Sequence, residues 1–207
     1  MSWLKEQFAL LGDFFRAGFR RTVLWCAVGM AAAAALGFGM AMIWPDAAWD
    51  AIDAFAEQVA EAGVVDEAGR MSVFALLVNN WRAMLLSAAY GLIPFIFLPV
   101  ISLMSNGAML GIMAGVYQAS GMPLAALAAG VLPHGVFELP ALILSIACGV
   151  RLCRNMCLLT VRSREKVPFM ELAEELLRVL VLAVAPLTVA AAFVECYVTP
   201  VVMGWFL

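Results

Sequence analysis

His134 and Glu138 stand four residues apart in the stretch Val131-Leu132-Pro133-His134-Gly135-Val136-Phe137-Glu138-Leu139-Pro140, and His134 is the only histidine in the chain. On a helix that spacing puts both side chains on one face. An imidazole beside a carboxylate can relay a proton or share a metal ion. Glu195 lies in a second apolar stretch, and Asn79, Asn80 and Arg82 open a third. Arg82 is the expected counter-ion for Glu138 or Glu195, because a charge inside a membrane costs about 3 kcal/mol or more unless it is paired or hydrated. Asn79, Asn80, Arg82, His134, Glu138 and Glu195 are therefore the candidate polar cluster. One histidine with no His-Glu-x-x-His spacing makes a poor catalytic metal centre, so no catalytic residue is assigned. Whether the cluster takes a metal is left open, and no cofactor is expected. A network of this kind fixes helix packing or lines an ion, proton or solute route.

The elements that position these residues belong in a bilayer. Of 207 residues, 65% are hydrophobic and 13% charged, where a soluble domain has roughly half and about a quarter. Five apolar stretches, at 22–44, 83–104, 108–119, 124–150 and 179–207, hold most of the hydrophobic residues, and a spanning helix needs about 20. The expected fold is a single all-α domain over 1–207, a polytopic membrane helix bundle of about five transmembrane helices. The first stretch exceeds the roughly 7 to 15 apolar residues of a secretory signal and reads as a retained anchor. Five cysteines, an odd number, fit no disulfide framework. Cys153 and Cys157 have one-turn spacing and lack two further ligands for a metal. Few, scattered basic residues exclude nucleic acid as a partner.

Charge sets the expected orientation. Lys5, Arg16, Arg20 and Arg21 precede the first stretch, while Arg151, Arg154, Arg162, Arg164, Lys166 and Arg178 flank the junction before the last. The positive-inside rule places both groups in the cytoplasm. Residues 1–21 then form a cytoplasmic N-terminal helix, 153–178 a cytoplasmic connection and 179–207 the last span. The segment 45–72 carries Asp46, Asp50, Asp53, Glu57, Glu61, Asp66 and Glu67 against Arg70 and faces outward as an acidic, largely helical loop. After Pro168, the leucines interleaved with Glu171, Glu174, Glu175 and Arg178 predict an amphipathic entry to the last span.

Breakers complete the pattern. Pro133, Gly135 and Pro140 predict a helix break around His134 with a restart near Val136, tolerated at membrane depth only where protein or water satisfies the freed backbone. Gly91, Pro94 and Pro99 interrupt the second stretch, and Ser105-Asn106-Gly107 is its expected turn. The second and fourth segments are thus broken, as in transporters that present helix ends to a solute. Gly107, Gly111 and Gly115, four apart, form a smooth ridge for helix packing.

Together Asn79-Asn80, Gly91 with Pro94 and Pro99, Asn106-Gly107 with Gly111, and the block from Leu132 to Ala141 resemble the stage II sporulation protein M family over 73–152. The resemblance implies a multi-helix protein of the bacterial inner membrane. It also implies a noncatalytic role similar to a scaffold for peptidoglycan-remodelling enzymes. Asn79, Asn80, Asn106, His134 and Glu138 carry the family pattern without an assigned catalytic role. The lipid bilayer, envelope hydrolases or other membrane proteins, and a second copy of the chain are the candidate partners. A channel or transporter using the His/Glu/Arg cluster is the alternative.

Overall fold

A computed structural model describes residues 2–61 and 72–206, and every element in it is helical. Residues 62–71, with Asp66, Glu67 and Arg70 of the acidic loop, lie outside the described residues.

Helix α1 (Ser2–Phe14) reaches α2 (Arg20–Ile43) through a wide turn in which Gly18 has φ 117, a conformation that strains any side chain bearing a Cβ. Trp44 leaves helical geometry, and Pro45 with Asp46 opens α3 (Pro45–Glu61). A proline needs no amide partner in a first turn, and an acid there faces the positive helix end. Helix α4 (Val73–Ala89) starts at Ser72, whose hydroxyl accepts the Ala75 amide at 3.3 Å. After a single tight turn at Tyr90–Leu92 come α5 (Leu98–Ala119) and α6 (Leu124–Thr160). Pro168 caps α7 (Phe169–Val179), which continues through a wide turn into α8 (Ala185–Tyr197), followed by the short α9 (Thr199–Met203).

Among the described residues four helical stretches are long and apolar enough to cross a membrane: Ser2–Ile43, Leu98–Ala119, Leu124–Thr160 and Phe169–Tyr197. This corrects the expectation of five. The second apolar stretch divides at 90–97, and its latter half joins the third to make α5. What remains, α4, has 17 residues and a length of about 26 Å, less than a hydrocarbon core of about 30 Å. The break in the second segment is real, but its turn lies before Pro99 rather than at Ser105-Asn106-Gly107. Asn106 sits inside α5 and donates to the Ser102 carbonyl one turn back at 2.8 Å. Phe95 and Phe97 take positive φ in the actual turn. There the Phe95 amide donates to Cys157 Sγ at 3.1 Å, and the Cys153 thiol donates to the Ile93 carbonyl at 3.3 Å. The two cysteines thus tie a strained turn to α6.

The break at Pro133, Gly135 and Pro140 is also corrected, because α6 runs unbroken through both prolines. Each proline lacks an amide hydrogen and leaves a carbonyl one turn back without its helical partner, an expense of about 3 kcal/mol. Tertiary packing outweighs it. Helices α8 and α9 lie antiparallel along this part of α6, bringing Met203 to Gly130, Thr199 to His134 and Glu195 to Glu138.

The tightest pair is α2 with α5. Gly107 meets Met30 and Ala33, Gly111 meets Ala34 and Phe38, and Gly115 meets Phe38 and Ala41. Positions rise together, so the two helices run parallel. Helix α4 also runs parallel to α6, with the Ser145 hydroxyl bonded to the Met84 carbonyl and Gly149 against the Ser87 carbonyl. These pairings put α3, the start of α4 and the start of α6 at one end. At the other lie α1, the turn 90–97, the end of α6 and α7, where Arg178 donates to Gln7 at 2.8 Å.

Phe19, Ile146, Ala147, Cys148, Val179, Val184, Ala191 and Ala192 are wholly enclosed. Trp25, Leu36, Val136 and Phe193 stand outward on the helices that enclose them, more than half exposed, as side chains facing lipid do.

Candidate functional site: a histidine–carboxylate cluster between helices

The continuous α6 sets the spacing of the site. His134 and Glu138 share one face, with the imidazole Nε2 3.8 Å from a Glu138 carboxylate oxygen. Glu195 comes across from α8, and one donor atom of each of the three side chains lies within 4.8 Å of the others. The His134 and Glu138 side chains are 16% and 28% exposed, so the cluster is recessed but open to one side.

Thr199, at the start of α9, completes the arrangement. Its hydroxyl lies 3.3 Å from both His134 Nδ1 and the Val194 carbonyl. One hydroxyl proton serves only one of the two. When it goes to the carbonyl, the ring donates from Nδ1 and Nε2 faces Glu138 as an acceptor; when it goes to Nδ1, the ring proton sits on Nε2. Thr199 escaped the sequence reading. Its signal is its place one turn after Glu195 and next to Pro200.

The remaining expected members stay apart. Arg82 is exposed on α4, and among the described residues it pairs with neither Glu138 nor Glu195. Asn79 donates to Asn80 at a marginal 3.5 Å. Asn80 is buried with its amide nitrogen unpartnered among the described residues. The α4–α6 register sets it level with Ala141, about one turn below Glu138. The cluster therefore has two carboxylates and an imidazole, with no arginine.

Below it the bundle closes. Ala141, Ser145, Ile146, Ala147 and Cys148 on α6 and Thr188, Ala191 and Ala192 on α8 are wholly buried. The Ser145 and Thr188 hydroxyls both bond backbone carbonyls.

The chain is similar to known proteins over most of its length. The model of the family described as stage II sporulation protein M matches residues 22–200, well beyond the 73–152 region that carries the motifs. An uncharacterized protein of Methanocaldococcus jannaschii is 31% identical over 133 residues, which cover 64% of this chain and 74% of that protein. No solved structure matches. With the family pattern spanning nearly all of the helical bundle, the chain belongs to the stage II sporulation protein M family and is a multi-pass membrane protein that is not an enzyme.

Proposed function

We propose that this protein is a noncatalytic component of a cell-envelope assembly in the bacterial inner membrane, holding partner proteins such as peptidoglycan-remodelling hydrolases. One observation favours this over a channel or transporter. The polar cluster stops at a wholly buried apolar plug of Ala141, Ile146, Ala147, Cys148, Ala191 and Ala192, and the deeper hydroxyls bond backbone carbonyls rather than line a path. A conducting route needs polar groups in sequence across the core. The broad apolar helix faces, by contrast, suit lateral contact with other membrane helices or with a second copy of the chain.

Wild-type protein in proteoliposomes is expected to pass no protons, alkali or divalent cations above empty vesicles. Envelope hydrolases are expected to co-purify with it in mild detergent and to be displaced when an outward apolar face, at Trp25 and Leu36, is made polar. Flux that Glu138→Gln abolishes, in a variant that elutes like wild type, would establish the transport alternative instead.

The basic end faces the cytoplasm in this reading, with α3 outside. A cysteine placed by Asp53→Cys on α3 should react with a membrane-impermeant maleimide in intact cells. One placed by Arg164→Cys, between α6 and α7, should react only after lysis. The opposite pattern would invert the topology.

A further inference from the structure

We infer that His134, Glu138 and Glu195 form a binding site for one divalent cation of the zinc type, which clips α8 and α9 to α6. The donor set comes first. Two carboxylates and an imidazole from two antiparallel helices converge within 4.8 Å. Zinc bonds to nitrogen and oxygen are about 2.0–2.2 Å, and tetrahedral donors at that reach stand about 3.4 Å apart. Rotating the two glutamate side chains inward by about an ångström closes the difference. An imidazole donor favours zinc-type ions over magnesium or calcium, which take oxygen ligands.

Charge points independently to a cation. Among the described residues neither carboxylate pairs with lysine or arginine, and two recessed carboxylates this close are neutralised either by a proton or by a cation. A neutral imidazole supplies no charge. With Nδ1 protonated toward Thr199, a cation seated between Nε2 and the Glu138 carboxylate, 3.8 Å apart, would bond to both. A metal-binding histidine commonly has its other ring nitrogen fixed by a hydrogen bond. Here the His134 Nδ1–Thr199–Val194 relay plays that part.

Three protein ligands leave a fourth position for water. In a noncatalytic protein the bound ion acts as a fastener. It joins the C-terminal helices to the part of α6 that two prolines deprive of backbone hydrogen bonds. Metal occupancy would then control how firmly the chain's last helices hold to the bundle, whatever partner the protein carries.

The test uses the full chain in detergent, stripped with chelator and titrated separately with zinc chloride, magnesium chloride and cobalt chloride. Wild type should bind one zinc ion per chain with a rise in melting temperature, and a large excess of magnesium should not compete. Cobalt should give the intense visible bands of a four-coordinate site without the near-ultraviolet absorption of thiolate ligands. Glu195→Gln, nearly isosteric, and His134→Gln should each weaken zinc binding at least tenfold. Thr199→Val keeps every ligand and removes only the ring's partner, so it should weaken binding about tenfold.

Folded wild type that takes up no stoichiometric zinc overturns the inference. So does zinc that survives both ligand substitutions and disappears with Cys153→Ser and Cys157→Ser. If a ligand variant aggregates, the cobalt spectrum of wild type alone decides, since thiolate absorption would place the metal on cysteines. These outcomes are separate from the flux and co-purification results, so either conclusion can fail alone.

Discussion

Substituting Gly111→Val is expected to abolish the native bundle or lower its melting temperature by roughly 6–12 °C, the equivalent of about 3 kcal/mol for a chain of this size. A Cβ at this position would run into the Ala34 carbonyl and crowd the Phe38 amide. Both obstacles are backbone, so no side-chain rotation relieves the overlap. The α2 and α5 helices must separate, and the loss extends along the interface through Gly107 and Gly115. Gly39→Ala provides the control, since nothing lies within 4 Å of its added methyl. That variant should stay within about 1 kcal/mol of wild type. Thermal unfolding in detergent, followed by tryptophan fluorescence, measures both. Equal stability of the two variants would refute the close parallel approach of α2 and α5.

The second large effect belongs to Asn155, which is buried near the end of α6. Its side chain donates to the Val167 carbonyl at 3.0 Å and accepts the Val167 amide at 2.9 Å. The pair clips the connection before α7 to α6 much as a β-bridge would. Asn155→Leu preserves the bulk and strands both backbone groups of Val167. Each stranded group costs about 1–3 kcal/mol, so a loss of about 2–6 kcal/mol is expected. Trypsin should then cut at Arg162, Arg164 or Lys166 about tenfold faster than in wild type, because opening of this segment becomes easier. Unchanged cleavage together with unchanged melting would show that the clip does not hold the connection.

Both sites bear on how far composition and spacing can be read. Long apolar runs declared the membrane and the helices, because a bilayer offers the backbone no other partner and leaves few solutions. The acidic run after Trp44 indicated α3, and the leucines spaced around Glu171 to Arg178 indicated α7. The four-residue period of Gly107, Gly111 and Gly115 pointed to a close helix contact, yet nothing local named α2 as the partner.

The sequence by itself determined the class of fold and the family, since both depend on composition and motif spacing, and it set His134 and Glu138 four residues apart, a spacing that becomes a shared face once the helix is continuous. Tertiary structure alone decided that Pro133 and Pro140 remain helical, that Glu195 and Thr199 rather than Arg82 complete the cluster, and that 90–97 is the turn. The physical reason is the same in each case. A proline's local penalty, an arginine's reach and a turn's position all depend on which helix lies alongside. In this chain α8 and α9 lie along the stretch of α6 that holds the prolines, Arg82 stays exposed on α4, and Cys153 and Cys157 on α6 hold the turn.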